Sequence, residues 1–185
     1  MRTCQSAGAY LRVADPDWAD PVDGAVAIAR GGRWNPAGTF AAVYLNADLE
    51  TARANARLLL DRTLEGMPFG FEDLDPAGLP SLWTVELPST DILDAMTAEG
   101  LQVAGLPVTY PRHQAGDPLP WQPCQRAGAR AHRDGVRRIA YRSAAFAAGA
   151  GEAAWIGDAP GSLTCGAPGR DFGSWFWSAP DDEGT

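Results

Sequence analysis

Gly31-Gly32-Arg33-Trp34-Asn35-Pro36-Ala37-Gly38 is the stretch on which the reading of this chain turns, together with the run Ala41-Ala42-Val43-Tyr44-Leu45 that follows it. Paired glycines let the backbone approach a ligand closely or take positive φ. Asn35-Pro36 and the later Gly38 favour a turn. Residues 41–45 read as a buried strand that residues 46–48 end, and Asp48 is placed to cap the helix that follows. Residues 49–64 contain no Gly or Pro, are rich in Ala, Leu and Arg, and form the clearest helix of the chain. Ala52, Asn55, Ala56 and Leu59 share one of its faces by three- and four-residue steps, so Asn55 is a polar residue turned toward the interior or a cleft. Arg53 and Arg57 share another face, which reads as solvated.

Working outward, residues 10–15 (YLRVAD) read as a short strand with Leu11 and Val13 on one face and Arg12 on the other. Residues 15–24 are a loop rich in Asp and Pro, and 66–80 is another. Residues 81–87 alternate as a strand. Residues 91–99 are expected as a short helix capped by Ser89 or Thr90. Residues 110–125 are rich in Pro and poor in pattern, as in a long loop or lid. Residues 127–133 suggest a helical turn, and 136–141 a strand running into Ser143. Residues 153–156 and 172–177 are expected as late strands. The Trp175-Phe176-Trp177 run fits a core strand better than an interface. Residues 180–185 are acidic and expected to fray. No internal repeat and no long linker appear, so residues 1–185 are expected as one domain. The mixed order of elements favours α+β, with small mixed or antiparallel sheets flanked by helices, over a doubly wound parallel sheet.

Composition narrows the function classes. The chain has 185 residues, 45% of them apolar, a formal net charge of -8 and a pI near 4.6. Such an acidic protein has no general attraction to nucleic acid or anionic lipid, so neither is expected as a direct partner. All 15 basic residues are Arg. There is no lysine for a Schiff base or a P-loop, and any bound phosphate must be held by local arginines. Cys4, Cys124 and Cys165 form no CxxC pair, and His113 and His132 sit in no ligand motif, so neither a disulfide scaffold nor a metal is expected. No basic-then-apolar leader and no run of about 18 apolar residues is visible. A bacterial-type cytoplasmic location is the expectation.

Among the polar residues, Arg12 and Arg33 near a Gly-rich turn suit a diphosphate, because guanidinium binds phosphate oxygens in a bidentate fashion. Tyr44 could stack on a flat ring or donate a hydrogen bond. Each also has an ordinary reading: Arg12 and Arg33 as surface or ion-paired arginines, Tyr44 as core, and Ser143 as a strand-end serine.

The run GGRWNPAG, then AVYLN, then ETARANA, resembles the RES domain family, named after a recurring Arg, Glu and Ser. The resemblance spans roughly residues 10–156. It is strongest over 10–60 and 135–156, and thin over 66–133. It implies a fold like that of ADP-ribosyltransferases and an activity that destroys NAD, as in the toxins of toxin–antitoxin pairs. NAD is then substrate or ligand, and no prosthetic group is implied. Arg12 matches the early Arg that lines the nucleotide pocket, and Arg33 the motif Arg near the phosphates, with Gly32 and Trp34 as further binding positions. Tyr44 matches the Tyr expected against the nicotinamide ribose, and Ser143 the closing Ser. The family's acidic residue belongs eleven residues past Tyr44, where this chain has Asn55. Arg12, Asn55 and Ser143 are thus the catalytic candidates.

Cleavage of a nicotinamide–ribose bond passes through an oxocarbenium-like state that a carboxylate stabilises. Asparagine accepts a hydrogen bond but carries no charge, and Glu50 points about 140° away around the helix. The resemblance therefore leaves three readings open: an NAD glycohydrolase or phosphorylase of altered or weak activity, a nucleotide-binding or regulatory protein without turnover, and an enzyme of ADP-ribosyl transfer or other nucleotide remodelling. It also implies an antitoxin partner carrying a DNA-binding domain.

Overall fold

The computed structural model describes residues 3–5, 7–70, 73–113, 116–146, 150–157, 163–166 and 169–177. Their strands are β1 (Thr3–Gln5), β2 (Gly8–Ala14), β3 (Ala41–Asn46), β4 (Ser81–Leu87), β5 (Thr90–Ala95), β6 (Arg138–Arg142), β7 (Gly151–Gly157) and β8 (Thr164–Cys165). The helices are α1 (Ala25–Arg30), α2 (Leu49–Thr63), α3 (Ala98–Ala104), α4 (Trp121–Arg133) and α5 (Phe172–Phe176). The architecture is α+β. The strands join in one eight-stranded sheet ordered β1-β5-β6-β7-β3-β2-β4-β8, rather than several small sheets. All neighbouring pairs run antiparallel except β5 and β6.

Alternation along the strands divides the apolar residues between two faces. Residues of α3 and α4 pack with Ala42, Ile139, Tyr141, Ala154 and Ile156 over the β5-β6-β7-β3 half of the sheet. Residues of α2 and α5 pack with Leu11, Val13 and Leu82 over the β2-β4 half. The register Leu11↔Asn46 puts these two clusters on the same face. Val43, Leu45, Val85, Leu87 and Trp155 pack on the other. The helices thus leave a seam between them, above the junction of β2 and β3. That junction is itself sparse: the two strands pair only at Leu11↔Asn46, whereas β2 and β4 pair over seven positions.

Four local expectations change. Residues 91–99 do not form one helix. Residues 90–95 are the strand β5, held between β1 and β6, and the helix waits until Thr97 caps α3 by accepting from the Gly100 N–H. Sheet pairing overrides a weak local helical preference there. The expected loop over 110–125 is cut short by α4, whose Pro123 lies in the first turn, where an N–H has no intrahelical partner to lose. The late strand expected over 172–177 is instead the helix α5, because Asp171 caps it and Phe172, Trp175 and Phe176 share a buried face at i, i+3 and i+4. Trp175 and Phe176 are core, while Trp177 is 56% exposed. Arg53 is not solvated: Nε and Nη2 donate to the Trp175 carbonyl at 3.1 and 2.9 Å, tying α2 to α5. Asp48 does cap α2, accepting from the Thr51 N–H at 2.7 Å. Residues 180–185 lie outside the described residues.

Candidate functional site

A cavity of about 380 Å³ opens at the seam between the two helical clusters. Its walls include Arg12, Gly31, Gly32, Arg33, Tyr44, Asn46, Asn55, Leu59, Trp121, Tyr141 and Glu152. The volume lies in the usual range for small-molecule sites, about 300–1,000 Å³.

One wall is the turn after α1. Gly31 takes φ +71°, and its N–H donates to the Ala27 carbonyl. A side chain at Gly32 would collide with the Tyr44 hydroxyl and with Asn35 Oδ1. That hydroxyl donates to Asn35 Oδ1 at 2.8 Å and accepts the Trp34 N–H at 2.9 Å. Asn35, fully buried, donates from Nδ2 to the carbonyls of Ala27 and Phe40. Gln125 of α4 donates to the Gly32 carbonyl at 2.9 Å. The turn is thus fixed by side chains from β3 and α4, and it carries Arg33 in the cavity lining.

Arg12 comes from the face of β2 opposite Leu11 and reaches the opening where β2 and β3 part. There Nη1 donates to the Tyr44 carbonyl at 2.9 Å and Nε to the Pro21 carbonyl at 3.1 Å, with the guanidinium over the Trp18 ring. Burial pulls its pKa down to about 10, so it stays charged at neutral pH. Its Nη2 carries no hydrogen bond among the described residues. Neither Arg12 nor Arg33 pairs with a carboxylate among those residues. The Arg33 charge acts instead on three neutral neighbours, Tyr44, Tyr110 and Cys124. Burial pushes both the Tyr110 hydroxyl and the Cys124 thiol up, and Arg33 works against each shift.

The opposite wall is a cross-strand row. Tyr141, Glu152 and Asn46 are register partners on β6, β7 and β3, and Asn55 descends on them from α2. Asn55 Nδ2 donates to Asn46 Oδ1 at 2.8 Å and to Glu152 Oε1 at 3.0 Å, and the Tyr141 hydroxyl donates to Glu152 Oε2 at 2.7 Å. Burial, then Glu152, hold the Tyr141 hydroxyl well above its ordinary pKa.

The residues singled out from the sequence fall into two groups. Arg12, Gly32, Arg33, Tyr44 and Asn55 line this one cavity. Trp34 does not reach it: the indole is fully buried in the core beneath the seam, with ring centroids 5.3 Å from Tyr141 and 6.0 Å from Tyr110. Ser143 does not line it either. It is 3% exposed, its Oγ accepts the Ala145 N–H, and it borders a separate hollow with Arg142 and Tyr110. Glu152, Tyr141 and Trp121 are additions that the sequence reading missed. The only local sign of Glu152 is a lone charge opening the apolar strand GEAAWIG.

Among the described residues no group of acidic, Cys or His side chains could hold a metal ion, and no helix is long and apolar enough to cross a membrane. A comparison with curated proteins returns no match. Among solved structures, a chain in the crystal structure of the M. tuberculosis MbcT–MbcA toxin–antitoxin complex superposes with a TM-score of 0.73 at 20% identity, over 96% of this chain and 93% of that one. The sequence profile described as the RES domain matches residues 9–172, which takes in every strand from β3 to β8 and the whole cavity wall. This chain belongs to the RES domain family.

Proposed function

We propose that the cavity binds NAD, with the pyrophosphate against Arg12 and Arg33, and that the protein cleaves the nicotinamide–ribose bond with water or phosphate as acceptor. The observation that carries this reading is a pair of arginines lining one cavity with no carboxylate partner among the described residues. A half-buried cation without a counter-ion is costly, and a bound diphosphate supplies the missing charge. The chain has no lysine to do the same work. Trp121, 45% exposed at the rim, offers a flat apolar surface to one of the ligand's rings. The likeness to a chain of a toxin–antitoxin complex supports an antitoxin protein as partner.

A second reading has its own observation. Asn55 stands where the family's acidic residue is expected, which favours a protein that holds the nucleotide without turning it over. Incubation of the purified protein with NAD, following nicotinamide release with and without phosphate, separates the two. Release that disappears in Arg33→Ala supports the enzyme. Binding by calorimetry without release supports the second reading. No binding at all would end both.

A further inference from the structure

We infer that Glu152 supplies the carboxylate that position 55 lacks: the acidic group of this site has moved from α2 to β7. The inference rests on the cavity being an NAD-cleaving site. Glu152 and Asn55 touch, with Oε1 and Nδ2 3.0 Å apart, so the two positions serve one spot in the cavity from opposite sides. Their chemistry is complementary. Glu152 has only lone pairs to offer, and each of its oxygens meets a donor: the Asn55 amide on one side and the Tyr141 hydroxyl on the other. A glutamate at 55 beside Glu152 would set two carboxylates against each other and strip one of its donors. Asn55 is therefore what a carboxylate at 152 requires. Its amide group is spent on Asn46 and Glu152, which leaves Asn55 Oδ1 without a hydrogen bond among the described residues and free to accept from a ribose hydroxyl.

In the reaction, the bond from the ribose C1′ to the nicotinamide nitrogen breaks. Its electron pair stays on that nitrogen and cancels the pyridinium charge. The positive charge passes to C1′ and the ring oxygen, facing the Glu152 carboxylate. Water adds to C1′ and releases one proton to solvent. A carboxylate already held by two donors needs no reorganisation to stabilise that charge.

The test measures nicotinamide release, NAD binding by calorimetry and thermal melting for the wild-type protein, Glu152→Gln, Glu152→Asn, Asn55→Glu and the exchange Asn55→Glu/Glu152→Asn. In Glu152→Gln, kcat is expected to fall by about 10²- to 10³-fold while Kd for NAD and the melting temperature stay close to wild type. The exchanged double variant is expected to exceed Glu152→Asn in kcat by at least tenfold. Asn55→Glu alone is expected to lose activity rather than gain it. Full activity in Glu152→Gln would overturn the inference and leave the NAD-cleaving reading standing. So would a loss in which binding and melting fall together with kcat, since that marks a structural role, and so would a double variant no better than Glu152→Asn. No release from the wild-type protein overturns both.

Discussion

Tyr44 and Asn35 are joined by a 2.8 Å hydrogen bond from the phenol to Oδ1, across the floor of the turn that presents Arg33. The same phenol oxygen accepts the Trp34 N–H, so its donor and one acceptor position are already engaged inside the protein. Tyr44 is therefore first a clamp on the Gly31–Pro36 turn, and only its ring is left to offer the proposed ligand. Burial pushes its pKa up, which keeps the hydroxyl proton in place for Asn35. Tyr44→Phe should leave the Trp34 N–H and Asn35 Oδ1 unpaired, at about 1–3 kcal/mol. Urea denaturation checks the cost, and NAD binding should weaken with it because Arg33 loses its fixed base.

Gly32 and Gly38 answer to different constraints, and alanine distinguishes them. At Gly32 a Cβ would run into the Tyr44 hydroxyl and Asn35 Oδ1, both of which are pinned by other bonds. At Gly38 the φ of +74° is strained for alanine, but nothing lies within 4 Å of the added carbon. Gly32→Ala should cost about 1–3 kcal/mol from the clash and disturb ligand binding. Gly38→Ala should cost about 1 kcal/mol from backbone strain alone and leave binding unchanged. Equal effects in paired melting and binding measurements would refute the assignment.

Arg53 ties α2 to α5 by donating twice to the Trp175 carbonyl. Its pairing with Glu50 at 2.9 Å involves a carboxylate that is 55% exposed, and contributes little. Arg53→Ala should therefore destabilise by about 1–3 kcal/mol, through loss of the two bonds to that carbonyl as α5 loosens. Glu50→Ala should change stability by less than about 0.5 kcal/mol. Limited proteolysis should cut the Arg53→Ala protein first near α5, while NAD affinity stays at the wild-type value because neither residue lines the cavity.

The parts of this architecture that sequence made readable are those governed by local chemistry. The strand at 81–87 and the helix opening at Leu49 behind its Asp48 cap coincide with β4 and α2, because alternation, an Asx cap and the absence of breakers act within a few residues. Residues 90–95 were not readable, since their strand exists through pairing with β1 and β6, the latter more than forty residues away. Glu152 was hidden for the same reason. It lies 97 residues from Asn55, and only the β3–β7 and β6–β7 registers bring it beside Asn46 and Tyr141. Arg12, Arg33 and Tyr44 could be picked out by residue type and motif, but their convergence depends on β2 and β3 parting after one paired position. Trp34 shows the converse: a motif aromatic that the core absorbs completely.

Arg12 and Arg33 should make the protein a thermometer for diphosphate. Both are charged groups that line the cavity without a carboxylate partner among the described residues, so an anion that reaches them stabilises the folded state alone. Inorganic pyrophosphate at 100 times its Kd would add about 2.7 kcal/mol, which for a chain of this size raises the melting temperature by roughly 5–10 °C. The shift should shrink in 0.5 M NaCl, where charge pairs in a solvent-open site are screened. It should be lost in Arg33→Ala and reduced in Arg12→Ala. Arg33→Lys should recover only part of it, because an ammonium cannot reproduce the two-pronged contact of guanidinium with neighbouring phosphate oxygens. A wild-type melting curve indifferent to pyrophosphate would mean that the two cations are satisfied by water, and would remove the electrostatic basis of the proposed nucleotide site.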